Sequence, residues 1–302
     1  MQLAFHTLDV FTGTPFAGNP LAVVLDADAL PTERMQAIAR EFNLSETVFV
    51  QRPQNPAHSA KIRIFTPTAE LPFAGHPTVG AAILLAELRN PGQTGDRDAI
   101  VVLEENIGTV RVGVRFRKDE AAFAEFDAPK LPEDAGAPPS VDHLAAALGL
   151  LPREIGFANH RPTRFTAGNA FTFVPVASLD AIGRAAVNSQ HWQTIANQGV
   201  VGVFLYCGDT VHTTSAAHAR MFAPGMGMAE DPATGSAAVN FAAVIQKFDA
   251  PPDGQHKRII EQGFEMGRPS IITLSLEVTG GKLSNVRIGG QAVRITEGTI
   301  RV

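Results

Sequence analysis

One stretch of this chain occurs twice. Residues 63–82 begin RIFTP and end HPTVGAA, and residues 220–237 begin RMFAP and end DPATGSA. Both copies have the pattern of a strand, a short polar loop, and then Pro and Gly at the start of an apolar helix. Asp231 lies 155 residues after His76, which is close to half of the 302-residue chain. The duplication predicts two similar domains that face each other across one cleft, with His at one helix start and Asp at the other.

The two helices that follow these starts have no polar face. Residues 79–88 are almost entirely apolar, and residues 237–245 contain only Asn240 as a polar side chain. A helix that is apolar all round is buried on every side. The chain also lacks the regular strand–helix alternation of a parallel sheet. We therefore predict an α+β fold of two pseudo-symmetric domains, each a mixed or antiparallel sheet curled around a central helix.

Proline-rich residues 127–139 are the best candidate for a linker. They place the domain boundary so that residues 1–127 form the N-terminal half and residues 128–291 the C-terminal half. The last strand, about 292–302, is expected to join the N-terminal half. Hydrophobic patterning further predicts a helix over 78–88 and a strand near 154–159.

The composition describes an ordinary globular protein, with 45% hydrophobic and 18% charged residues, a net charge of −5 and a pI near 6.0. No basic stripe is present, which argues against nucleic acid as a partner. Cys207 is the one cysteine, so an internal disulfide is excluded and a reducing compartment is indicated. No signal-peptide pattern and no membrane-length apolar run are seen. We expect a cytoplasmic enzyme or binding protein without a membrane partner.

The two helix starts are candidates for binding a small anion. A helix N-terminus carries unsatisfied N–H groups and a positive dipole end. Gly75, Gly80 and Gly235 would let the backbone approach a ligand closely. Two such starts in one cleft predict a clamp for a small-molecule carboxylate. The alternative is that the glycines only form tight strand-to-helix turns.

Four side chains could carry chemistry, three of them at these helix starts and one at the start of a strand. At a helix start the pKa of His76 should fall, which favours neutral imidazole as a donor or proton relay. Asp231 is a candidate to orient substrate, and Ser236 to hydrogen-bond it. Glu46 leads into an apolar strand, where burial would raise its pKa and suit it to proton transfer near neutral pH. The alternatives are a helix cap for His76 or Asp231, simple packing for Ser236, and an exposed strand edge for Glu46.

Several motifs that would indicate other chemistry are absent from the sequence. It has no H-E-x-x-H, no C-x-x-C and no cluster of histidines, so no metal site is predicted. It also has no phosphate-binding loop, no dinucleotide fingerprint and no G-x-S-x-G elbow. A single cysteine excludes a two-thiol racemase mechanism within the chain.

Seven segments, in order between positions 9 and 270, form a specific set: DVF at 9–11, FAGNPLAV at 16–23, NLSET at 43–47, FTP at 65–67, ELPFAGHPT at 70–78, EDPATGSA at 230–237 and QGFEMGRPS at 262–270. In this set the chain resembles the phenazine-biosynthesis PhzF-like family, within the diaminopimelate epimerase-like fold. The resemblance implies a cofactor-independent isomerase with two pseudo-symmetric domains. Members of the family are commonly homodimers, so a homodimer is possible here.

The resemblance also implies roles for individual residues. The family's best-understood members isomerise trans-2,3-dihydro-3-hydroxyanthranilate by a proton shift along the ring. Carried to matching positions, Glu46 would be the acid/base, and His76, Asp231 and Ser236 would bind and polarise the substrate. The substrate-binding positions would be Asn19, Gly75 and Gly235.

Two other functions stay open from the sequence. A racemase or epimerase on the same fold would use Glu46 and Asp231 as two opposed bases. A binding protein would capture a carboxylate and catalyse nothing. The sequence does not identify the substrate, because residues between the motifs form the pocket walls.

Overall fold

The computed structural model describes residues 1–92 and 95–302. The chain divides into two compact units, the first comprising Met1–Pro129 with Ile288–Val302 and the second comprising Lys130–Arg287. Both units combine helices with extensive sheet, so the fold is of the α+β class. Within the described residues, no helix has the length and apolarity needed to cross a bilayer.

Within its described residues, the first unit contains two α-helices and nine strands, the last of which begins in the second unit. They are β1 (Gln2–Val10), β2 (Asn19–Val24), α1 (Thr32–Phe42), β3 (Glu46–Gln51), β4 (Ala60–Phe65), β5 (Glu70–Leu71), α2 (Gly75–Arg89), β6 (Arg97–Glu105), β7 (Gly108–Phe116), β8 (Ala122–Asp127) and, after the second unit, β17 (Lys282–Arg301).

Strand pairing closes the sheet of the first unit on itself. β1 pairs with β2, β2 with β3, β3 with β4, β4 with β6, β6 with β7 and β7 with β8. β17 then pairs with both β8 and β1. Helix α2 contacts strands β1, β2, β3, β6, β7 and β8. The sheet therefore surrounds α2, which explains why this helix has no polar face.

Gly80, inside α2, permits the close approach of this helix to the sheet. A Cβ atom at residue 80 would lie 2.6 Å from Leu21 Cδ2 and 2.8 Å from Val10 Cγ2. Both neighbours are fully buried. The core therefore has no room for one more methyl group unless these side chains move.

We expect Gly80→Ala to lower the free energy of unfolding by about 1–2 kcal/mol. Overpacking a core costs about 1–3 kcal/mol, and the higher helix propensity of Ala offsets up to about 1 kcal/mol of that cost. Urea unfolding measures the change. Ala37→Gly, at an exposed position inside α1, is the control for propensity alone. A Gly80→Ala variant as stable as the parent would contradict the close packing.

The second unit contains four α-helices and eight strands: β9 (Glu133–Asp134), α3 (Val141–Leu148), β10 (Thr163–Thr166), β11 (Ala170–Pro175), α4 (Leu179–Arg184), α5 (Ser189–Ala196), β12 (Val203–Cys207), β13 (Ala217–Ala223), β14 (Met228–Asp231), α6 (Gly235–Phe248), β15 (Gly254–Gln262) and β16 (Ser270–Thr279). β11 and β12 pair in parallel, as do β13 and β15. The buried helix α6 contacts β10, β11 and β16.

The duplicated sequence corresponds to duplicated contacts. In the first unit, Arg63 on β4 donates two hydrogen bonds to Glu70 on β5, at 2.8 and 2.6 Å. In the second unit, Arg220 on β13 donates two to Glu230 on β14, at 2.8 and 2.9 Å. Each arginine thus fixes the short strand that leads toward its helix start, because a two-point arginine–carboxylate pair restricts the geometry of both chains.

Two predicted boundaries differ from the structure. The strand predicted near 154–159 is wrong: Pro152–Glu154 form a 3₁₀ turn, and Gly156 has a φ of 106° that interrupts an extended chain. Helix α2 begins at Gly75 and not at residue 78. The sequence pattern hid this start because Pro77 stands in the first turn, where its missing N–H costs nothing.

Candidate active site

Glu46 and His76 lie together in the first unit. Glu46 is the first residue of β3 and His76 the second residue of α2. Their Oε2 and Nε2 atoms are 3.3 Å apart, and the two residues are only 8% and 4% exposed. His76 is inside the helix rather than its cap, since the N-cap residue is Ala74. A buried carboxyl group and an imidazole at this distance can share or exchange a proton.

Burial lowers the pKa of His76 to about 3, because it disfavours the imidazolium ion. The ring is therefore neutral near pH 7 and carries one N–H. The two atoms approach closely without the alignment of a hydrogen bond. After a small rotation of either side chain, a neutral ring could donate from Nε2 to the Glu46 carboxylate or accept a proton from the Glu46 acid at the same atom. In both arrangements the ring stays neutral, so no positive charge is placed in the core.

We expect the His76 ring to stay neutral throughout the range from pH 5 to 8. Nitrogen NMR of histidine-labelled protein measures this directly, and the signals missing from His76→Gln identify the residue. The ring signals should not shift until the pH falls toward 3. Stability already declines from about pH 6.5 downward, because the unfolded chain takes up a proton that the buried ring does not. A titration midpoint near 6.5 would contradict the burial of a neutral imidazole.

Asn19 and Gly75 lie at the same end of these elements. Asn19 is the first residue of β2 and is fully buried. β2 and β3 run in parallel, with Leu21 opposite Glu46, so both strands begin at one end of the sheet. Gly75 begins α2, and Thr78 is the first residue of this helix whose N–H bonds to Ala74 O, at 3.2 Å. The helix start thus presents the N–H groups of Gly75 and His76 beside the Glu46–His76 pair.

Glu105 is a second buried carboxyl group at the first turn of α2, and the sequence analysis did not identify it. Its Oε1 atom is 2.8 Å from Thr78 Oγ1, which is also 2.8 Å from Ala74 O. A hydroxyl has one hydrogen, so it can donate to only one of these two oxygens. If Thr78 donates to Ala74, Glu105 must be protonated and donate to Thr78. Burial raises the pKa of Glu105 to about 8, in agreement with a neutral acid.

Asp231 ends β14 in the second unit, four residues before α6 begins. It is not the helix cap, since the N-cap residue is Thr234. The Thr234 hydroxyl donates to Asp231 Oδ2 at 2.6 Å. The side chain of Gln262, at the end of β15, bonds to both residues. Asp231 is therefore part of a buried hydrogen-bond network that orders the loop before α6.

Gly235 and Ser236 are the first two residues of α6. Ala238 is the first residue of this helix whose N–H bonds to the N-cap carbonyl. It donates to Thr234 O at 3.0 Å. The N–H groups of the first turn precede it, and Ser236 is half-buried beside them. The second unit therefore brings Asp231, Gly235 and Ser236 to one helix start. No three His, Cys, Asp or Glu side chains within residues 1–92 and 95–302 are grouped as a metal site requires.

Comparison with known proteins connects this arrangement to one family. The family model described as "Phenazine biosynthesis-like protein" matches residues 8–298. An "uncharacterized isomerase" of Mesorhizobium japonicum is 55% identical over 97% of this chain and 96% of its own length. The trans-2,3-dihydro-3-hydroxyanthranilate isomerase of Pseudomonas aeruginosa is 36% identical over 97% of this chain and 98% of its own length. A solved Bacillus anthracis phenazine biosynthesis protein of the PhzF family superposes with a TM-score of 0.89 at 26% identity, covering all of both chains.

Proposed function

Since the chain belongs to the phenazine biosynthesis-like (PhzF-like) family and is an isomerase, we propose that it moves a proton on a small carboxylic acid. The substrate class is that of trans-2,3-dihydro-3-hydroxyanthranilate, which the Pseudomonas aeruginosa relative isomerises according to its name. The chain and this relative align over nearly their whole lengths, which supports a shared type of reaction. Neither a metal nor a cofactor takes part in the proposed step.

The observation that carries the proposal is the buried Glu46–His76 pair, 3.3 Å apart. In the proposed step, the Glu46 carboxylate takes a proton from a C–H group of the substrate. The electron pair left behind moves through the conjugated system, and Glu46 returns the proton to another carbon. Substrate and product then have the same formula, and Glu46 ends as it began. Neutral His76 stabilises both states of Glu46, because its Nε2 atom can donate to the carboxylate or accept from the acid.

The remaining residues are proposed to hold the substrate. Asp231 and Ser236 would bind and polarise its polar groups, and the backbone at Gly75 and Gly235 would bind its carboxylate. The N–H groups at the starts of α2 and α6 suit an anion, since they add to the positive end of each helix dipole. Asn19, buried at the Glu46 end of β2, would add a side-chain amide.

The direct test is incubation of the purified protein with trans-2,3-dihydro-3-hydroxyanthranilate, followed by ultraviolet absorbance and mass spectrometry. Conversion to a product of unchanged mass supports the proposal. Amino acids incubated in deuterated water provide the comparison: deuterium at an α-carbon, without conversion of the first substrate, would instead indicate a racemase or epimerase. Tight carboxylate binding without proton exchange in any substrate would indicate a binding protein and contradict the proposal.

A further inference from the structure

Both polar atoms of the Gln262 side-chain amide form hydrogen bonds with the loop before α6. Its Nε2 atom donates to the backbone oxygen of Asp231 at 2.7 Å and to Thr234 Oγ1 at 3.0 Å. Its Oε1 atom accepts the backbone N–H of Thr234 at 3.1 Å. The opposite orientation of the amide would set two donors against each other at Thr234 N–H, so only one orientation satisfies every group. Gln262 is fully buried, so these bonds are shielded from bulk solvent.

The hydrogens available on each group determine which group donates each hydrogen bond of the network. Thr234 Oγ1 accepts from Gln262, and its single hydrogen is free to donate to Asp231 Oδ2, which lies at 2.6 Å. The chain of bonds runs from the Gln262 amide through the Thr234 hydroxyl to the Asp231 carboxylate. A carboxylate that accepts from a fixed donor is held in one orientation, and such charge-assisted bonds are short and strong.

The backbone around Gln262 is itself held in place by close packing. The next residue, Gly263, has a φ of 78°, and a Cβ there would lie 2.6 Å from the backbone oxygens of both Pro232 and Arg268. On the other side of Gln262, Glu261 accepts from His218 Nδ1 at 2.9 Å. The end of β15 therefore packs against the 231–234 loop at a distance that only glycine permits.

We propose that Gln262 and Thr234 are positioning residues that fix the Asp231 carboxylate in its working orientation. The inference rests on the proposed function, in which Asp231 binds and polarises the substrate. Thr234 does not touch substrate in this account; it acts through Asp231. Its hydroxyl should therefore matter for turnover, while its methyl group should matter only for packing.

The test compares Thr234→Val, which keeps the shape of the side chain and removes the hydroxyl, with Thr234→Ser, which keeps the hydroxyl. A hydrogen bond to a charged group is stronger than one between neutral groups. We therefore expect Thr234→Val to lower kcat about 10- to 100-fold, and Thr234→Ser to stay within about threefold of the parent. Gln262→Met, which removes the amide at similar volume, should resemble Thr234→Val. Equal losses in the Val and Ser variants would overturn the proposal.

A double-mutant cycle separates positioning from general damage. In an Asp231→Asn background, Thr234→Val should cost less than about threefold in kcat, because the carboxylate it orients is gone. A full loss in that background would overturn the positioning role. If Asp231→Asn alone keeps full activity, the proposed role of Asp231 in binding and polarising the substrate is wrong instead. Crystal structures give a readout independent of turnover: the Asp231 side chain should rotate in Thr234→Val and not in Thr234→Ser, and an unmoved side chain would overturn the proposal.

Discussion

Glu46→Gln is expected to lower kcat for isomerisation by about 10²–10⁴-fold, the usual contribution of a general acid–base group. Glutamine has the shape of glutamate but cannot take a proton from carbon. The amide still fits beside His76, so the free energy of unfolding should stay within about 1 kcal/mol of the parent. Substrate affinity should change little, because the proposed carboxylate contacts come from other groups. Steady-state kinetics and equilibrium binding measure the two effects separately.

Glu41→Gln is the matched control for this change. Glu41 is an exposed residue of α1, five positions before Glu46. The same substitution there removes one negative charge from the same part of the chain without touching a buried group. It should leave kcat and stability unaltered. If Glu46→Gln behaves like Glu41→Gln, Glu46 is not the acid/base.

Glu105→Gln is expected to flatten the dependence of stability on pH. The pKa of Glu105 is raised by burial from its ordinary value of 4.5 to about 8, so the folded protein retains a proton that the unfolded chain releases. Stability is then highest below pH 4.5 and falls as the pH rises to 8. At 1.36 kcal/mol per pKa unit, the loss across this window amounts to about 5 kcal/mol. Glutamine is neutral at every pH and can donate to Thr78 in place of the acid.

The measurement is the free energy of unfolding by urea at a series of pH values from 4.5 to 8.5. Parent and Glu105→Gln should agree at the acid end, and the variant should be the more stable protein at the alkaline end. Glu104→Gln is a control for which the expected change in the free energy of unfolding has the opposite sign, since N–H groups of Asn55 and Gln54 lower the pKa of Glu104. That variant should lose stability at neutral pH. Parallel curves for the parent and Glu105→Gln would show that Glu105 is ionised in the fold.

The duplicated stretch made much of the fold predictable. A strand, a loop and an apolar helix recur, and an apolar helix can only be buried. The two short helices α4 and α5 were not predicted, because each offers fewer than three turns of periodicity. Their caps at Ser178 and Asn188, and the buried pair Trp192 and Ile195, become informative only when the surrounding core is known.

Residues of the candidate site could be proposed from the sequence where their chemistry and a family segment agree. Glu46 and His76 were both identified from the sequence, but their 3.3 Å contact depends on how β3 and α2 meet, which no local pattern specifies. Glu105 could have been found, because strand alternation puts it on the same face as the buried residues Val101 and Leu103. Gln262 begins the segment at 262–270, but its role could not be predicted, since that role depends on a loop about 30 residues earlier in the chain.

The most direct test of the central claim follows the reaction of parent and Glu46→Gln side by side in deuterated water. With trans-2,3-dihydro-3-hydroxyanthranilate as substrate, the account predicts that the parent forms the isomer and that solvent deuterium enters it as the Glu46 carboxyl exchanges its proton. Glu46→Gln should neither form the isomer nor incorporate deuterium. Conversion by Glu46→Gln at the rate of the parent would contradict the claim that Glu46 moves the proton.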